Sequence, residues 1–245
     1  MLEAIVLAGG FGTRLRPVVS DVPKPLAPVA GKPFLAWLLD ELKLQGYSHI
    51  VLATGYMHEK VENSFGSEYH GMAIDYAVEH EPLGTGGAIV NGLQHCDSDH
   101  VTVLNGDTMF RIDHRKIIEA CNSNDTKLAI ALRHVENSGR YGSVETDENG
   151  RITAFVEKND KVQAGYINGG IYRLDRTLLD RFAHGQQFSF EKELLQKEFR
   201  AQAFYGIGFD NYFIDIGIPE DYARAQTEFR NQTAGETPAY QINRR

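Results

Sequence analysis

A glycine-rich loop directly behind an apolar run constrains the fold of this chain more than any other feature. The run is residues 4–8, AIVLA, and the loop is within residues 7–17, LAGGFGTRLRP. A continuous apolar run that ends in glycines predicts a buried strand of a parallel sheet. Glycines at such a strand end let the backbone approach a ligand closely, and successive N–H groups can bind phosphate. A surface turn explains the glycines equally well, so a phosphate site needs support from elsewhere in the chain.

Two basic residues near the loop supply part of that support. Arg14 offers several N–H donors in a geometry that suits phosphate oxygens, and Lys24 adds a compact positive charge. The glycine spacing fits neither the dinucleotide pattern G-x-G-x-x-G nor the P-loop pattern G-x-x-x-x-G-K-[ST]. Hydride transfer and P-loop phosphate transfer therefore lose support.

Hydrophobic patterning along the rest of the chain predicts an α/β fold. Apolar residues recur at helical spacing from Phe34 until Gly46, and a second apolar run follows at 50–53, which completes a βαβ unit. Similar patterns predict strands at 72–78, 101–104 and 128–132, and helices at 84–96 and 113–121. The expected architecture is a Rossmann-like mixed, mainly parallel sheet flanked by helices.

The second half of the chain changes character. The runs 142–146 and 151–156 flank Asn149 and Gly150, which is a hairpin signal. We expect a strand at 166–174, helices at 175–183 and 189–197, strands at 203–208 and 212–216, and a helix starting at Pro219. These patterns predict one domain, 1–231, with halves of about 1–135 and 136–231 and a small β lobe in the second. Residues 232–245 are expected to be a flexible tail or an expression remnant.

Composition narrows the possible partners and location. The 245 residues carry a formal net charge of −8, which disfavours binding to nucleic acid. A phosphate site in such a chain requires clustered Arg and Lys. Cys96 and Cys121 have no metal-binding spacing, and sparse cysteine fits a reducing compartment. Because the chain has no apolar run of about 18 residues and no signal-peptide pattern, we expect a soluble cytoplasmic protein without membrane contact.

Two aspartates follow predicted strands and are candidate metal ligands. Asp107 comes after the run 101–104, and Asp215 lies in the run 212–216. Carboxylates at the carboxyl ends of parallel strands face the ligand crevice. Mg²⁺ prefers oxygen ligands and often uses one or two carboxylates together with substrate phosphates. Each aspartate alone is better explained as a turn residue or a buried structural acid, but the pair combined with the glycine loop favours a metal site.

The motif GGFGTRLRP with the downstream Lys24-Pro25 resembles the signature of the sugar-1-phosphate nucleotidylyltransferases, and the resemblance covers about residues 1–230. Within that family, five segments resemble those of D-glycero-α-D-manno-heptose 1-phosphate guanylyltransferases: EPLGTGGA at 81–88, RYG at 140–142, NGGIY at 168–172, FSFE at 188–191 and DNYFIDIG at 210–217. The resemblance implies the GT-A-like fold of nucleotide-diphospho-sugar transferases, with a sugar-binding β lobe in the second half.

The resemblance also implies the roles of individual residues. Asp107 and Asp215 would hold Mg²⁺, and Arg14, Lys24 and Lys158 would complete the catalytic set. The implied nucleotide-binding residues are Leu7, Ala8, Gly9, Gly10, Gly12, Thr13, Arg14, Glu79, Glu81, Gly84, Thr85 and Asp107. The implied sugar-binding residues are Tyr141, Gly142, Glu157, Lys158, Asn168 and Gly169. Simpler explanations remain for some of these residues. Glu79 and Glu81 could be ordinary loop acids, and Tyr141 could belong to the core. Glu157 and Lys158 could be a solvated charge pair at a strand end.

The implied reaction joins GTP and a sugar 1-phosphate to give a GDP-sugar for surface polysaccharides and pyrophosphate. Guanine offers N1–H and N2–H₂ donors, which a carboxylate at Glu79 or Glu81 would accept. Two alternatives remain open. One is the same reaction with mannose or glucose 1-phosphate and GTP, UTP, dTTP or CTP, and the other is a non-catalytic module that binds sugar nucleotides. A homo-oligomer is the default expectation.

Overall fold

The structure is a computed structural model, and it describes residues 1–10, 12–15, 17–19, 21–139, 141–156 and 163–232. Nearly all of the predicted tail therefore lies outside the described residues. Helices and strands of the first half are β1 Glu3–Leu7, β2 Pro28–Val29, β3 Lys32–Pro33, α1 Phe34–Leu44, β4 His49–Thr54, α2 His58–Phe65, β5 Glu68–Tyr69, β6 Met72–Val78, α3 Gly84–Leu93, β7 His100–Asn105, β8 Thr108–Phe110, α4 His114–Ser123 and β9 Leu128–Val135. Those of the second half are β10 Ser143–Thr146, β11 Ile152–Val156, β12 Gly165–Asp175, α5 Gln196–Gln202, β13 Tyr205–Phe209, β14 Phe213–Asp215 and α6 Pro219–Gln232.

Among the described residues, eight strands form the central sheet in the order β13-β9-β12-β7-β1-β4-β6-β5. β1 pairs in parallel with β4 and β7, β4 with β6, and β13 with β9, whereas β12 runs antiparallel to β7 and β9. The predicted mixed, mainly parallel sheet is therefore confirmed. No helix within the described residues is long and apolar enough to span a bilayer.

The buried first strand explains why its sequence is apolar throughout. Ala4 and Val6 face one hydrophobic core, to which α1, α4 and α6 contribute, and Ile5 faces a second core with α3 and α5. All three side chains are fully buried. Helices thus cover both faces of the sheet, and the carboxyl ends of the central strands are left as the place where a ligand can reach the chain.

Two small β elements flank the sheet. β10 and β11 form the predicted hairpin, with Val144 opposite Phe155. β8 and β14 form an antiparallel ribbon in which Thr108 lies opposite Asp215. Since about 100 residues separate these two strands, the ribbon joins the two halves of the sequence.

The structure differs from the sequence prediction at three helices. The helix expected at 175–183 is wrong, because Arg176–Leu179 forms a single 3-10 turn. Arg176 donates to the carbonyl oxygens of Leu93 and Cys96, and Phe182 stacks on Phe188 with ring centroids 3.9 Å apart, so tertiary contacts hold a turn here. The helix expected at 189–197 is a π-helical turn, Phe190–Leu195, continued by α5. Helix α2 was missed because it buries only Val61 and Phe65.

Candidate active site

A cavity of about 800 Å³ opens at the carboxyl ends of the central strands. Leu7 at the end of β1, Gly55 just after β4 and Asn105 at the end of β7 line it. Arg14, Asp107 and Asp215 also line this cavity, so residues separated by about 200 positions in sequence meet there. The arrangement is the one that the sequence required of a shared phosphate and metal site.

The glycine loop forms one wall of the cavity. The loop is held by a hydrogen bond from the amide of Ala8 to the carbonyl oxygen of Ala53, 2.8 Å long, and Gly9 and Gly10 line the cavity. A Cβ at Gly9 would lie 3.3 Å from the backbone of Gly55 and from Oε1 of Glu79, so a side chain at this position would require these neighbours to move slightly. A Cβ at Gly10 would meet no atom within 4 Å, which leaves its backbone open toward the cavity.

Lys24 brings a positive charge between the two aspartates. Its Nζ lies 2.5 Å from Oδ2 of Asp107 and 4.0 Å from Oδ1 of Asp215. The lysine side chain is mostly buried, whereas both carboxylates are partly exposed to the cavity. The predicted basic charge and the two predicted metal ligands therefore form one cluster.

Local backbone structure fixes both aspartates. The amide of Gly106 donates to the carbonyl oxygen of Leu7 at 3.0 Å, and a Cβ at Gly106 would lie 2.6 Å from that oxygen. Only glycine therefore lets the turn after β7 pack against the end of β1 and point Asp107 into the cavity. Asp215 is brought alongside by the β8/β14 ribbon and by the hydrogen bond from the amide of Ile216 to the carbonyl oxygen of Asp107.

Electrostatics at Asp215 favour a cation. Burial raises the pKa of Asp215, and the negative charge of Asp107 raises it further, whereas Lys24, the amide of Gly217 and Arg14 lower it in part. Two neighbouring carboxylates are a suitable donor set for Mg²⁺, which often takes its remaining ligands from water and substrate phosphates. Within the described residues no cluster of three or more metal-ligating side chains is found.

The predicted nucleobase segment also lines the cavity. Glu79, Glu81, Gly84 and Thr85 all contribute to the lining. Glu79 is partly buried, its Oε2 accepts a 2.9 Å hydrogen bond from the amide of Leu83, and burial raises the pKa of its carboxyl group. Glu81 is exposed. The two candidate carboxylates therefore differ, because Glu79 is held by a hydrogen bond within the wall and Glu81 is exposed.

Glycines in this segment allow close packing against another part of the chain, and not only against a ligand. A Cβ at Gly84 would lie 2.6 Å from the carbonyl oxygen of Phe188, and a Cβ at Gly86 would overlap the Phe188 ring at 2.1 Å. Amide-to-carbonyl hydrogen bonds of 3.0 Å from Gly86 to Phe188 and from Phe188 to Leu83 hold the two segments together. The hydroxyl of Thr85 likewise accepts a hydrogen bond from the amide of Phe190.

Three of the predicted sugar-binding residues, Tyr141, Gly142 and Asn168, line a smaller cavity of about 90 Å³. Asn168 donates from Nδ2 to the hydroxyl of Tyr172 at 2.8 Å, so its side chain is held in place. Strand β12 changes register between Asn168 and Tyr172, as expected from the glycines there. The tight contact at Gly169 is with the Phe110 ring, 2.5 Å from a Cβ at that position, and not with the cavity.

Some predicted residues lie elsewhere. Ala8, Gly12 and Thr13 are not among the residues that line the large cavity, and Ala8 is buried. Gly12 has a φ of +57° and packs against the stem of Lys24, with a Cβ at 3.0 Å. Glu157 and Lys158 lie outside the described residues, so their roles stay predictions from the resemblance.

Several cavity residues were not found from the sequence. Tyr56, His58, His80 and Asn105 line the large cavity, and Glu191 lines both cavities. Tyr56 precedes the missed helix α2 and His58 is its first residue, so no pattern in the sequence indicated them. Glu191 was within the recognised segment 188–191, but only the contact between that segment and α3 reveals its position.

The comparisons with known proteins agree with this geometry. A family model described as Nucleotidyl transferase matches residues 3–232. The chain belongs to the nucleotidyl transferase family. It is 45% identical over 230 residues to the D-glycero-alpha-D-manno-heptose 1-phosphate guanylyltransferase of Aneurinibacillus thermoaerophilus, covering 94% of this chain and 99% of that protein. The protein of the same name from Campylobacter jejuni is 44% identical, with 90% and 97% covered. The family recognised from the motifs is thus confirmed.

A solved structure confirms the fold class as well. The crystal structure of HddC from Yersinia pseudotuberculosis complexed with GMP-PN is 38% identical and superimposes with a TM-score of 0.83. The match covers 94% of this nucleotidyl transferase and 100% of the HddC chain.

Proposed function

We propose that this nucleotidyl transferase transfers GMP from GTP to D-glycero-α-D-manno-heptose 1-phosphate, giving a GDP-heptose and pyrophosphate. The observation that carries the proposal is the single cavity in which Arg14, Asp107, Asp215 and Glu79 meet. The sugar and the base follow the names of the two relatives above and the GMP-PN of the HddC structure.

The chemistry requires positioning and charge rather than a general base. An oxygen of the sugar phosphate attacks the α-phosphorus of GTP, and the bond from that phosphorus to the β-phosphate oxygen breaks to release pyrophosphate. A phosphate monoester has a second pKa of about 6, so the nucleophile is already largely ionised at neutral pH. The enzyme must bring two anions together and stabilise the negative charge of the transition state.

Residues of the large cavity fit these tasks. A Mg²⁺ ion held by Asp107 and Asp215 would neutralise charge on the reacting phosphates. Arg14 at the glycine loop is suited to bind the departing pyrophosphate, and Lys24 lies within reach of the same cluster because it already contacts Asp107. By resemblance, Lys158 would hold the sugar phosphate and Glu157 its hydroxyls.

Guanine selection is assigned to Glu79. A carboxylate accepts from the N1–H and N2–H₂ of guanine, whereas it would repel the acceptor O4 of uracil or thymine. Glu79 is the better candidate than Glu81 because its hydrogen bond to Leu83 and its burial fix its position at the cavity wall. A fixed acceptor discriminates between bases more strongly than an exposed surface carboxylate.

We further infer that the product is a precursor of surface polysaccharide made in the cytoplasm, where GTP is available. The two cysteines of the described chain are free and buried, in agreement with a reducing compartment. A homo-oligomer remains the default expectation and is testable by light scattering.

A pyrophosphate-release assay that crosses five nucleoside triphosphates with heptose, mannose and glucose 1-phosphates tests the proposed function. We expect release with GTP and heptose 1-phosphate, dependent on Mg²⁺ and at least about tenfold faster than with any other pair. Release with mannose 1-phosphate instead would assign a different sugar to the same reaction. Absence of release with every pair, while GDP-sugar still binds, would assign a non-catalytic module.

A further inference from the structure

Glu191 lies where the two cavities of the site meet. It lines the large cavity that contains Asp107 and Asp215, and it also lines the small cavity that contains Tyr141 and Asn168. If the proposed function holds, the first cavity takes the nucleotide and the metal, and the second takes the sugar. A side chain common to both is therefore placed near the atoms that the reaction joins.

The local sequence fixes the turn that carries Glu191. Ser189 caps the π-helical turn, because its hydroxyl accepts from the amide of Lys192 at 3.2 Å. Oε1 of Glu193 accepts from the amide of Ser189 at 3.1 Å, so the cap is closed from both sides. Phe190 anchors the turn in the core through edge-to-face packing on Tyr172, with ring centroids 5.2 Å apart. π-helical turns occur frequently at functional sites.

A second set of contacts ties this turn to the nucleotide side. The amide of Phe190 donates a 2.9 Å hydrogen bond to Oγ1 of Thr85, which lies in the first turn of α3 and lines the large cavity. Phe188 exchanges backbone hydrogen bonds with Leu83 and Gly86 in the same loop. The position of Glu191 therefore depends on the loop that also carries Gly84 and Thr85.

Charge determines what Glu191 can contact. A carboxylate that faced a phosphate would repel it, so Glu191 must face cations or neutral donors if the large cavity binds phosphates. The small cavity offers a neutral polar wall of Tyr141 and Asn168, as a site for sugar hydroxyls would. Burial raises the pKa of the Tyr172 hydroxyl, and the negative charge of Glu191 raises it further, so this hydroxyl is neutral. Glu191 and Asn168, whose side chain donates to Tyr172, both line this small cavity.

We propose that Glu191 is a further substrate-binding residue, which accepts hydrogen bonds from hydroxyls of the sugar 1-phosphate, and that Thr85 positions it through the amide of Phe190. This inference rests on the proposed function, because it assumes a sugar in the small cavity. It assigns to Thr85 a second role besides lining the nucleotide side. The same contact makes the geometry of the sugar site depend on the nucleotide loop.

Glu191→Gln and Glu191→Ala test the first part. Loss of a charged hydrogen-bond acceptor is expected to raise KM for the sugar 1-phosphate about tenfold or more, while the affinity for GTP measured by calorimetry without sugar changes less than about twofold. Monodeoxy analogues of the sugar phosphate that the wild type turns over identify the hydroxyl. The analogue that lacks it should lose activity with the wild type and lose no more with Glu191→Gln.

Thr85→Val and Thr85→Ser test the second part as a matched pair. Valine keeps the shape but removes the acceptor for the Phe190 amide, and serine keeps the acceptor. We expect Thr85→Val to raise KM for the sugar phosphate several-fold and Thr85→Ser to restore the wild-type value. If Thr85 acts through Glu191, the double variant Thr85→Val/Glu191→Gln should be no worse than Glu191→Gln alone.

The outcomes separate this inference from the proposed function. No turnover by the wild type with GTP and any sugar 1-phosphate would contradict the proposed function itself. An active wild type with an unchanged sugar KM in Glu191→Gln would overturn only the role of Glu191. A loss of GTP affinity in that variant, or additive effects in the double variant, would equally overturn it. Melting temperatures close to that of the wild type exclude misfolding as the cause.

Discussion

Acidic side chains at the two ends of the central sheet have pKa values that are shifted in opposite directions. At the amino end of β1, the buried carboxylate of Glu3 accepts hydrogen bonds from the amides of Asp97 and Ser98 and lies 2.9 Å from Nδ1 of His49. Burial raises the pKa of Glu3, but these hydrogen bonds outweigh it and lower the pKa to about 2. At the carboxyl end, burial and Asp107 raise the pKa of Asp215.

The difference separates a structural acid from a functional one. Glu3 is stabilised as an anion by the protein itself, so nothing further is required there. Asp215 has less compensation than its burial and its neighbour demand, although Lys24 and Gly217 each supply some. An incompletely balanced pair of carboxylates beside a large cavity is what a binding site for a cation requires. Four substitutions test this contrast.

Asp107→Asn should have the largest effect and act on catalysis alone. The amide keeps the shape of the side chain but removes the charge that would hold Mg²⁺, so we expect kcat to fall by at least about 10³-fold. The melting temperature should stay within a few degrees of the wild type. Pyrophosphate release and thermal melting measure the two effects. Asp210→Asn, at a side chain that is 84% exposed, is the control and should leave both unchanged.

Glu79→Gln should weaken guanine selection. Loss of the charged acceptor is expected to raise KM for GTP about 10–100-fold, with a smaller change for ATP or UTP. Steady-state kinetics with each triphosphate measure it. Glu81→Gln is the matched control, since Glu81 is exposed and lines the same cavity. If Glu81→Gln produced the larger loss, the base would be recognised by the exposed carboxylate and the present assignment would be wrong.

Glu3→Gln should affect stability alone. Removing this anion leaves its donors less well paired, which costs about 1–3 kcal/mol and lowers the melting temperature by about 2–10 °C. Because the folded pKa lies below the ordinary value of 4.5, the contribution is fully present above pH 4.5 and is lost as the pH falls through about 2. The difference in melting temperature between wild type and variant should shrink over that range.

Asp75 provides a control for Glu3, because both carboxylates contact the side chain of His49. Asp75 lies 3.0 Å from Nε2 of His49, but its side chain is 55% exposed. Asp75→Asn should therefore shift the melting temperature by less than about 2 °C. Equal destabilisation by the two variants would mean that burial does not distinguish the two carboxylates, and the contrast between the ends of the sheet would lose its basis.

Asp215→Asn should have a small effect on stability, with the opposite sign to that of Glu3→Gln. The folded pKa of Asp215 is raised, so its ionised form opposes folding above that pKa, and this penalty disappears as the pH falls below it. The variant should melt at a higher temperature than the wild type at neutral pH, and the difference should vanish in acid. A lower melting temperature at neutral pH would mean that Asp215 stabilises the fold.

Much of the fold and part of the site could be predicted from the sequence, for physical reasons. Apolar runs such as β1 and β7 reveal buried parallel strands, and Gly106 and Asp107 after β7 mark the ligand crevice. The motif around Arg14 identified the family. Local patterns could not reveal the 3-10 turn at 176–179, because the long-range contacts of Arg176 and Phe182 decide it.

The missing parts of the site have a similar cause. Glu191 enters both cavities because glycines in α3 let Phe188 pack closely, and that contact joins segments about 100 residues apart. Spacing along the chain does not encode such a contact. Gly84 was predicted to bind the nucleotide, but the sequence did not indicate that it also packs against a protein backbone.

Binding of Mn²⁺, followed by electron paramagnetic resonance in the presence of a non-hydrolysable GTP analogue, tests the central claim most directly. Mn²⁺ takes oxygen ligands much as Mg²⁺ does, and it is observable without turnover. If Asp107 and Asp215 share one ion, Asp107→Asn and Asp215→Asn should each weaken Mn²⁺ binding at least about tenfold, while Glu3→Gln leaves it unchanged. Binding of wild-type strength in either aspartate variant would contradict the account of this site.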